Sequence, residues 1–256
     1  MPWSQVSHRL GLPPVILHST ISLSNWRLID TERSLTLDNL TTLYSLDKTR
    51  DLEVFFMIPL LVELRAVPAI KALVKILIST DHEMESEVSS CLNIVTSSLS
   101  EMTRELRGIH SQVSPSLFYH KHRVLLSGWR DNPSLPNGLL YQGVADYPLQ
   151  FSGGSAAQSS VIQMVDVCLG VDHTRGEGQF LDRMRDYMPP NQRAMLAQLA
   201  ELPSLRSLCE GSEELQERYN NCLLSLDQFR TQHLILASRY ITAQVTTGGR
   251  QLHFMY

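Results

Sequence analysis

The chain has 256 residues, of which 43% are hydrophobic and 19% are charged, and 22 Lys+Arg against 26 Asp+Glu give a formal net charge of -4. This length and composition are typical of a folded globular protein with a sizeable core. A slightly acidic balance provides little electrostatic attraction to nucleic acid, so the expected partner is a small molecule or a protein.

The sequence favours a cytoplasmic, reducing compartment. The most apolar run, 54–62, is about half of the roughly 20 residues that a membrane span needs, so no membrane partner is expected. Pro13 and Pro14 interrupt the apolar residues near the N-terminus, which argues against a secretory signal. The cysteines are far apart and show no metal-binding spacing. They are Cys91, Cys168, Cys209 and Cys222.

Apolar residues recur at steps of three and four along most of the chain, which predicts helices. The first long helix is predicted over 53–79, where Pro59 and Pro68 should bend or break it because each lacks a backbone donor. Shorter helices are predicted over 115–126, 178–187, 191–201 and 205–210. A second long helix is predicted by the apolar row Val88, Leu92, Val95, Leu99, Met102, Leu106 and Ile109. We found no strand pair, so the predicted fold is all-α, with one domain over 1–256.

The segment 151–170 combines a glycine turn with the start of a helix. Ser155 and Gln158 fit an S-x-x-Q capping box, and Gly170 fits a C-terminal stop. A capped helix after a tight turn is one interpretation. The other is that Gly153 and Gly154 let the backbone approach a ligand closely. No lysine follows at the spacing of a phosphate-binding loop.

The last long helix has a clear start. Ser212 is predicted as the N-cap and Glu213 and Glu214 favour the first turn, with the helix reaching about Ala243 before a loop and tail over 244–256. One face of this helix forms an apolar row that contains a histidine. The row is Leu215, Tyr219, Cys222, Leu226, Phe229, His233, Leu236 and Tyr240.

His233 has two interpretations. It is either a core histidine that a neighbour satisfies, or a ligand such as haem iron requires, with one neutral nitrogen on an apolar face. His120 and His122 point to different sides of a helix, so a shared metal ion is not expected and both are predicted to be solvated. Arg123 follows two aromatic residues and is either a carboxylate site or a surface arginine. Whether Asp166 and Arg230 pair is left open.

Seven segments resemble the indoleamine 2,3-dioxygenase family in their order and spacing, over nearly the whole chain. They include LGLPPVIL, LLSGWRDNP, GLLYQGV and FSGGSAAQSS, and the others are SNW, RMRDYMPP and LDQFRTQHL. The resemblance implies a large helical domain with long helices around a haem pocket.

The resemblance also implies a function: a haem-dependent dioxygenase that adds both atoms of O2 across the indole 2,3-bond of L-tryptophan to give N-formyl-kynurenine. It implies heme b, with His233 as the iron ligand, and no catalytic side chain, since the haem does the chemistry. Arg123 matches the residue that binds the substrate carboxylate. Further substrate contacts are implied for Phe55, Phe56, Phe118, Tyr119, Leu126, Ser155, Ala156 and Thr247. Further cofactor contacts are implied for Gly154, Ser155, Asp166 and Arg230. A monomer is expected.

The sequence departs from the family pattern at three places. Only residues 1–9 precede LGLPPVIL, where the family has a small helical domain, so that domain is expected to be absent. Pro59 stands where the family has a serine or threonine in the distal pocket, and Tyr119 where a phenylalanine is usual. The segment after Ala243 is short. An alternative function is therefore a truncated haem-binding or interaction protein with little or no turnover, and a third is a helical scaffold without a cofactor.

Overall fold

A computed structural model describes residues 2–78, 85–173 and 178–246. Helices form most of it, and the all-α prediction is confirmed. The α-helices in chain order are α1 (Pro2–Leu10), α2 (Arg50–Ile78), α3 (Glu85–Arg107), α4 (Ile109–Gln112), α5 (Pro115–Leu117), α6 (Arg123–Leu125), α7 (Ser160–Leu169), α8 (Gly178–Arg185), α9 (Pro190–Ala200), α10 (Leu205–Leu208), α11 (Glu213–Ala237) and α12 (Ala243–Thr246).

Three π-helical turns and two 3₁₀ turns lie between these helices. The π turns are Ser19–Leu23, Phe118–His122 and Ser238–Thr242, and the 3₁₀ turns are Leu37–Asn39 and Ala156–Gln158. A small antiparallel sheet that the sequence pattern did not predict joins β1 (Trp26–Leu28) to β2 (Leu40–Thr42), with Trp26 opposite Thr42. These strands are too short for a clear alternation of polar and apolar residues.

The core lies between α2, α3 and α11, the three longest helices. Helix α3 packs along α2 on one side and against α11 on the other. Every residue of the apolar row predicted for α3, from Val88 to Ile109, is buried. The apolar row therefore predicted correctly both that this helix forms and which of its faces is buried.

Pro59 and Pro68 were predicted to bend or break helix α2. This helix is uninterrupted from Arg50 to Ile78, so a break is wrong, whereas a bend stays a prediction. Each proline removes one backbone hydrogen bond. The loss is offset because the residues beside Pro59 are almost fully buried, and Pro68 itself lies on the solvent side of the helix. Burial of a long apolar face stabilises the helix more than two missing bonds destabilise it.

Helix α11 begins as predicted, because the Ser212 Oγ accepts a hydrogen bond from the Leu215 N–H over 3.4 Å. After Ala237 the chain continues through the π turn into α12, so helical structure extends to Thr246 rather than ending near Ala243. The rest of the predicted tail, which includes Thr247, lies outside the described residues.

In the described parts of the chain, no helix is both long enough and apolar enough to cross a membrane. All four cysteines are buried free thiols. Burial raises the pKa of Cys91 and of Cys168 to about 12, so both thiols stay protonated near neutral pH. The cytoplasmic location and the monomeric state stay predictions.

Candidate functional site

A cavity of about 380 Å³ lies between α2, the glycine turn, α8 and the end of α11. Its wall is mainly apolar and includes three arginines and one histidine. The apolar and aromatic residues are Phe55, Pro59, Leu106, Ile109, Phe118, Leu126, Phe180, Met184, Leu236, Tyr240 and Ile241. The charged and polar side chains are Arg123, Ser127, Arg130, Asp131, Ser152, Ser155, Arg183 and His233.

His233 is the exception in the predicted row of α11. The other seven residues of the row are buried, whereas His233 faces the cavity and is exposed. Protein atoms still surround much of the ring, and this burial lowers the pKa of His233. The imidazole is therefore neutral at physiological pH and has a free lone pair.

Within the described ranges, the His233 ring has no hydrogen-bond partner. The described residues therefore offer no neighbour that satisfies this histidine, which was one of the two interpretations of the sequence. The described residues also contain no group of three or more His, Cys, Asp or Glu side chains that could hold a metal ion.

One helical turn before His233, Arg230 pairs with Asp166 of α7. The Arg230 Nη2 lies 2.5 Å from the Asp166 Oδ1, and the His173 Nε2 lies 2.8 Å from the other carboxylate oxygen. Burial raises the pKa of the Asp166 carboxyl, and Arg230 and His173 oppose this rise. The pairing that the sequence left open is present, and it fixes a guanidinium on the same face of α11 as His233.

Arg123 is buried at the start of α6 and lies on the cavity wall. Its guanidinium carbon is 5.2 Å from the centre of the Tyr119 ring, so the guanidinium group forms a cation–π contact with that ring. Phe118, also on the wall, packs 4.6 Å from Phe55 and 5.9 Å from Tyr240 between ring centres. The cavity therefore places a fixed cation beside a cluster of aromatic rings.

The glycine turn crosses the segment 126–128 at very short range. A Cβ on Gly153 would lie 1.9 Å from the Leu126 carbonyl oxygen, and one on Gly128 would lie 2.3 Å from the Gly153 nitrogen. Only residues without a side chain allow the two backbones to approach this closely. At Gly154 an added Cβ would meet only ordinary contacts, with Ile16 and Ile21 at 3.4–3.6 Å.

The predicted capping box at Ser155 and Gln158 is wrong. The Ser155 Oγ caps only the short Ala156–Gln158 turn, and Ser159 caps α7 by accepting a hydrogen bond from Val161 N–H. Gln158 instead donates to the Gly153 carbonyl over 2.7 Å and accepts from the backbone N–H of His18 over 2.9 Å. These bonds hold the glycine turn in place beside the cavity. The C-terminal stop at Gly170 is confirmed, with φ +70°.

Comparison with other proteins shows what this chain is similar to. Residues 1–252 match the family described as Indoleamine 2,3-dioxygenase. Indoleamine 2,3-dioxygenase 2 of Mus musculus is 41% identical over 96% of this chain and 61% of its own length. The protein of the same name from Homo sapiens is 38% identical over 99% of this chain and 62% of its own length.

The chain belongs to the indoleamine 2,3-dioxygenase family. It spans about three-fifths of the length of these curated relatives. The chain is also similar to a protein named Myoglobin from Haliotis madaka, which is 31% identical over 99% of this chain and 66% of its own length. The family assignment agrees with the resemblance inferred from the seven segments.

The structure brings most of the predicted site residues to one cavity. On its wall are Phe55, Phe118, Arg123, Leu126, Gly154, Ser155, Ala156 and His233. Off the wall are Phe56, Tyr119, Asp166 and Arg230. Phe56 packs with Leu60 and Leu61 in a separate apolar cluster, because neighbouring residues of a helix point about 100° apart. Thr247 lies outside the described residues, and the roles of all these residues stay predictions.

His122 is not solvated, which corrects a sequence prediction. Its side chain is fully buried, and its Nε2 lies 3.0 Å from the Thr49 Oγ1 and 3.3 Å from the Asp47 Oδ2. Only His120 is exposed. The two rings thus differ in exposure, and the expectation that they share no metal ion stays a prediction.

Sequence reasoning missed two arginines, Arg130 and Arg183, on the cavity wall. Arg130 follows Trp129 in the quoted LLSGWRDNP segment, and Arg183 is one of three arginines between 183 and 193. No local pattern distinguishes them from solvated arginines. The available signal was their place inside the segments that resemble the family.

Proposed function

We propose that this chain forms the haem-binding part of a dioxygenase that adds both atoms of O2 across the indole 2,3-bond of L-tryptophan, giving N-formyl-kynurenine. The observation that supports this most is the position of His233. It is a neutral imidazole without a protein partner in the described ranges, facing an apolar cavity that also contains a buried arginine.

The residues around the cavity fit a haem group. His233 would bind the iron, because a neutral imidazole nitrogen is a common axial ligand. The aromatic and aliphatic walls suit a flat apolar ring. Arg230, fixed by Asp166 on the same face of α11, would neutralise a haem carboxylate. When bound, heme b supplies the iron centre that activates O2.

The chain's own residues would bind and orient the substrate. Arg123 would form a charge-assisted pair with the amino-acid carboxylate, and Tyr119 positions its guanidinium. Phe118 and Phe55 would pack against the indole ring and exclude water from it. This division of labour needs no nucleophile and no acid-base pair among the side chains.

The proposal is tested by turnover. The chain is supplied with haem, reduced without oxygen and then given O2 and L-tryptophan, and the absorbance of N-formyl-kynurenine is followed. We expect product above the level that free haem forms. A haem-loaded, folded sample that forms none would contradict the proposal.

Pro59 favours a second candidate, a haem protein that binds O2 with little or no turnover. It lies on the cavity wall and brings no hydroxyl group to the position where the family pattern has one. The relative named Myoglobin from Haliotis madaka is consistent with such a protein in this family. The same assay distinguishes the two candidates, since this one predicts reversible spectral changes with O2 and no product.

A further inference from the structure

Arg130 and Arg183 lie on a wall that two cavities share. One cavity is the candidate haem site, and the other is a second pocket of about 400 Å³ that also includes His8, Phe151 and Tyr187. Arg130 comes from the loop that follows the 126–128 crossing, and Arg183 comes from α8. Two elements far apart in sequence therefore contribute one arginine each to the wall that the two cavities share.

The described residues do not neutralise these two charges with an ion pair. Neither arginine forms an ion pair within the described ranges, and the Nε of each is buried without an acceptor there. Arg130 makes one long bond, from its Nη2 to the Gln150 carbonyl over 3.4 Å, and Arg183 lies 5.6 Å from the centre of the Phe180 ring. Buried donors of charged groups ordinarily have a partner, so both groups are suited to an external anion.

Neither of the two nearby carboxylates lies on the wall that both cavities share. Asp186, on the wall of the second pocket, lies 3.9 Å from Arg193, which partly neutralises it. Asp131 is exposed on the wall of the first cavity and forms no ion pair among the described residues. The wall shared by the two cavities thus retains a local excess of positive charge.

The rest of the second pocket suits an aromatic body. Phe151 and Tyr187 provide rings, and Leu12 and Pro13 add apolar surface. The Tyr187 ring is held in place because its hydroxyl accepts a hydrogen bond from the Ser152 N–H over 2.8 Å. A ligand with one carboxylate and one ring would satisfy both parts of the pocket.

We propose that Arg130 and Arg183 form a binding site for a small aromatic carboxylate, with the carboxylate between the two guanidinium groups and the ring against Phe151 and Tyr187. This site is separate from Arg123 and does not depend on the proposed dioxygenase activity. The ligand occupies the second pocket and contacts the two arginines that also line the candidate haem site.

The test compares phenylacetate with its neutral analogue phenylacetamide. Dissociation constants are measured by NMR titration of the full 256-residue chain, with and without added haem. We expect phenylacetate to bind about tenfold more tightly than phenylacetamide, because hydrogen bonds to charged groups are stronger than neutral ones. Arg130→Gln and Arg183→Gln should each weaken phenylacetate binding by about tenfold.

Two control variants separate this site from nonspecific attraction of anions and from binding at Arg123. Arg9→Gln removes an exposed charge near the pocket, next to His8, and should change the affinity by less than about twofold. Because phenylacetate also fits the proposed substrate position at Arg123, its affinity is read from the NMR signals of Phe151 and Tyr187, and Arg123→Gln should leave the affinity measured there unchanged. Equal binding of both probes, or an affinity that falls with Arg123→Gln and not with the other two arginines, would overturn the proposal.

Thermal unfolding of each variant shows whether it folds. If a glutamine variant does not fold, Arg183→Lys replaces it, since lysine keeps the charge and loses the planar fork. We expect Arg183→Lys to bind phenylacetate about fivefold more weakly than the parent chain. An unchanged affinity in this folded variant would also contradict the proposal.

Discussion

Two interior histidines of this chain have opposite surroundings. The Nε2 of His122 lies between the Thr49 hydroxyl and the Asp47 carboxylate, and protein covers the ring completely, including an Nδ1 that has no hydrogen-bond partner among the described residues. His233 has no such partner in the described ranges and opens into a cavity. A buried polar group costs free energy unless it is hydrogen-bonded. The difference indicates that His122 stabilises the fold, whereas His233 is available to a ligand.

The glycine turn shows a similar contrast, because Gly153 has no room for a side chain and Gly154 has room for one. We expect the largest change in the free energy of unfolding from substitution at this turn. Gly153→Ala places a Cβ 1.9 Å from the Leu126 carbonyl oxygen, whereas Gly154→Ala meets only ordinary contacts. We expect Gly153→Ala to lower the free energy of unfolding by about 3 kcal/mol, because the backbone must move apart. Gly154→Ala should change it by less than about 1 kcal/mol. Denaturant titration measures both, and equal losses would show that the crossing is not rigid.

Alanine substitutions at the two histidines should have different effects on the free energy of unfolding of the haem-free chain. His122→Ala leaves Thr49 and Asp47 without their imidazole partner and removes a fully buried ring. We expect a loss of about 2–3 kcal/mol. His233→Ala removes no hydrogen bond within the described ranges, so the expected change is within about 0.5 kcal/mol. A larger loss for His233→Ala than for His122→Ala would reverse the assignment of roles.

Arg123 should affect the substrate rather than the cofactor. Arg123→Ala removes the buried cation proposed to bind the tryptophan carboxylate, and we expect affinity for L-tryptophan to fall by about tenfold or more. Tryptophan-dependent changes in the absorption spectrum of the haem-loaded chain give the dissociation constant.

Haem content should not change in this variant, because His233 and Arg230 are intact. The matched control is Tyr119→Phe, which keeps the ring 5.2 Å from the guanidinium and should bind L-tryptophan nearly as the parent does. Loss of haem together with tryptophan in Arg123→Ala would instead indicate a general collapse of the cavity.

Chemical modification compares His233 with His122 without changing the sequence, and we expect it to affect the fold least. Diethyl pyrocarbonate acylates accessible neutral imidazoles, so in the haem-free chain it should modify His233 and spare His122. Exposed His120 should react whether or not haem is added, which makes it an internal control. Mass spectrometry of proteolytic fragments locates the modified residues. Protection of His233 that does not depend on haem would show that the ring is covered by protein.

The parts of the fold that depend on local chemistry were predictable from the sequence. The cap at Ser212 and the apolar row of α11 depend on contacts within one helix and one face, and both are present. The C-terminal stop at Gly170 likewise needs only a residue that tolerates a positive φ. Even so, spacing alone did not show that His233 faces a cavity.

Three of the wrong predictions involve partners distant in sequence. Gln158 fits a capping box, yet its side chain binds the backbone of His18. Pro59 should interrupt a helix, yet packing of its neighbours keeps α2 intact. His122 looked solvated because nothing in the segment 118–126 shows that Thr49 and Asp47 cover it. Tertiary contacts of this kind override local preference.

The most direct test of His233 as the iron ligand is a haem titration of the parent chain, His233→Ala and His122→Ala, followed by absorption in the Soret region, with circular dichroism as a check of folding. We expect a saturable Soret band for the parent chain and for any folded His122→Ala sample. We expect that band to be lost in a folded His233→Ala chain. An unchanged band and affinity in His233→Ala would contradict the assignment of His233 as the iron ligand.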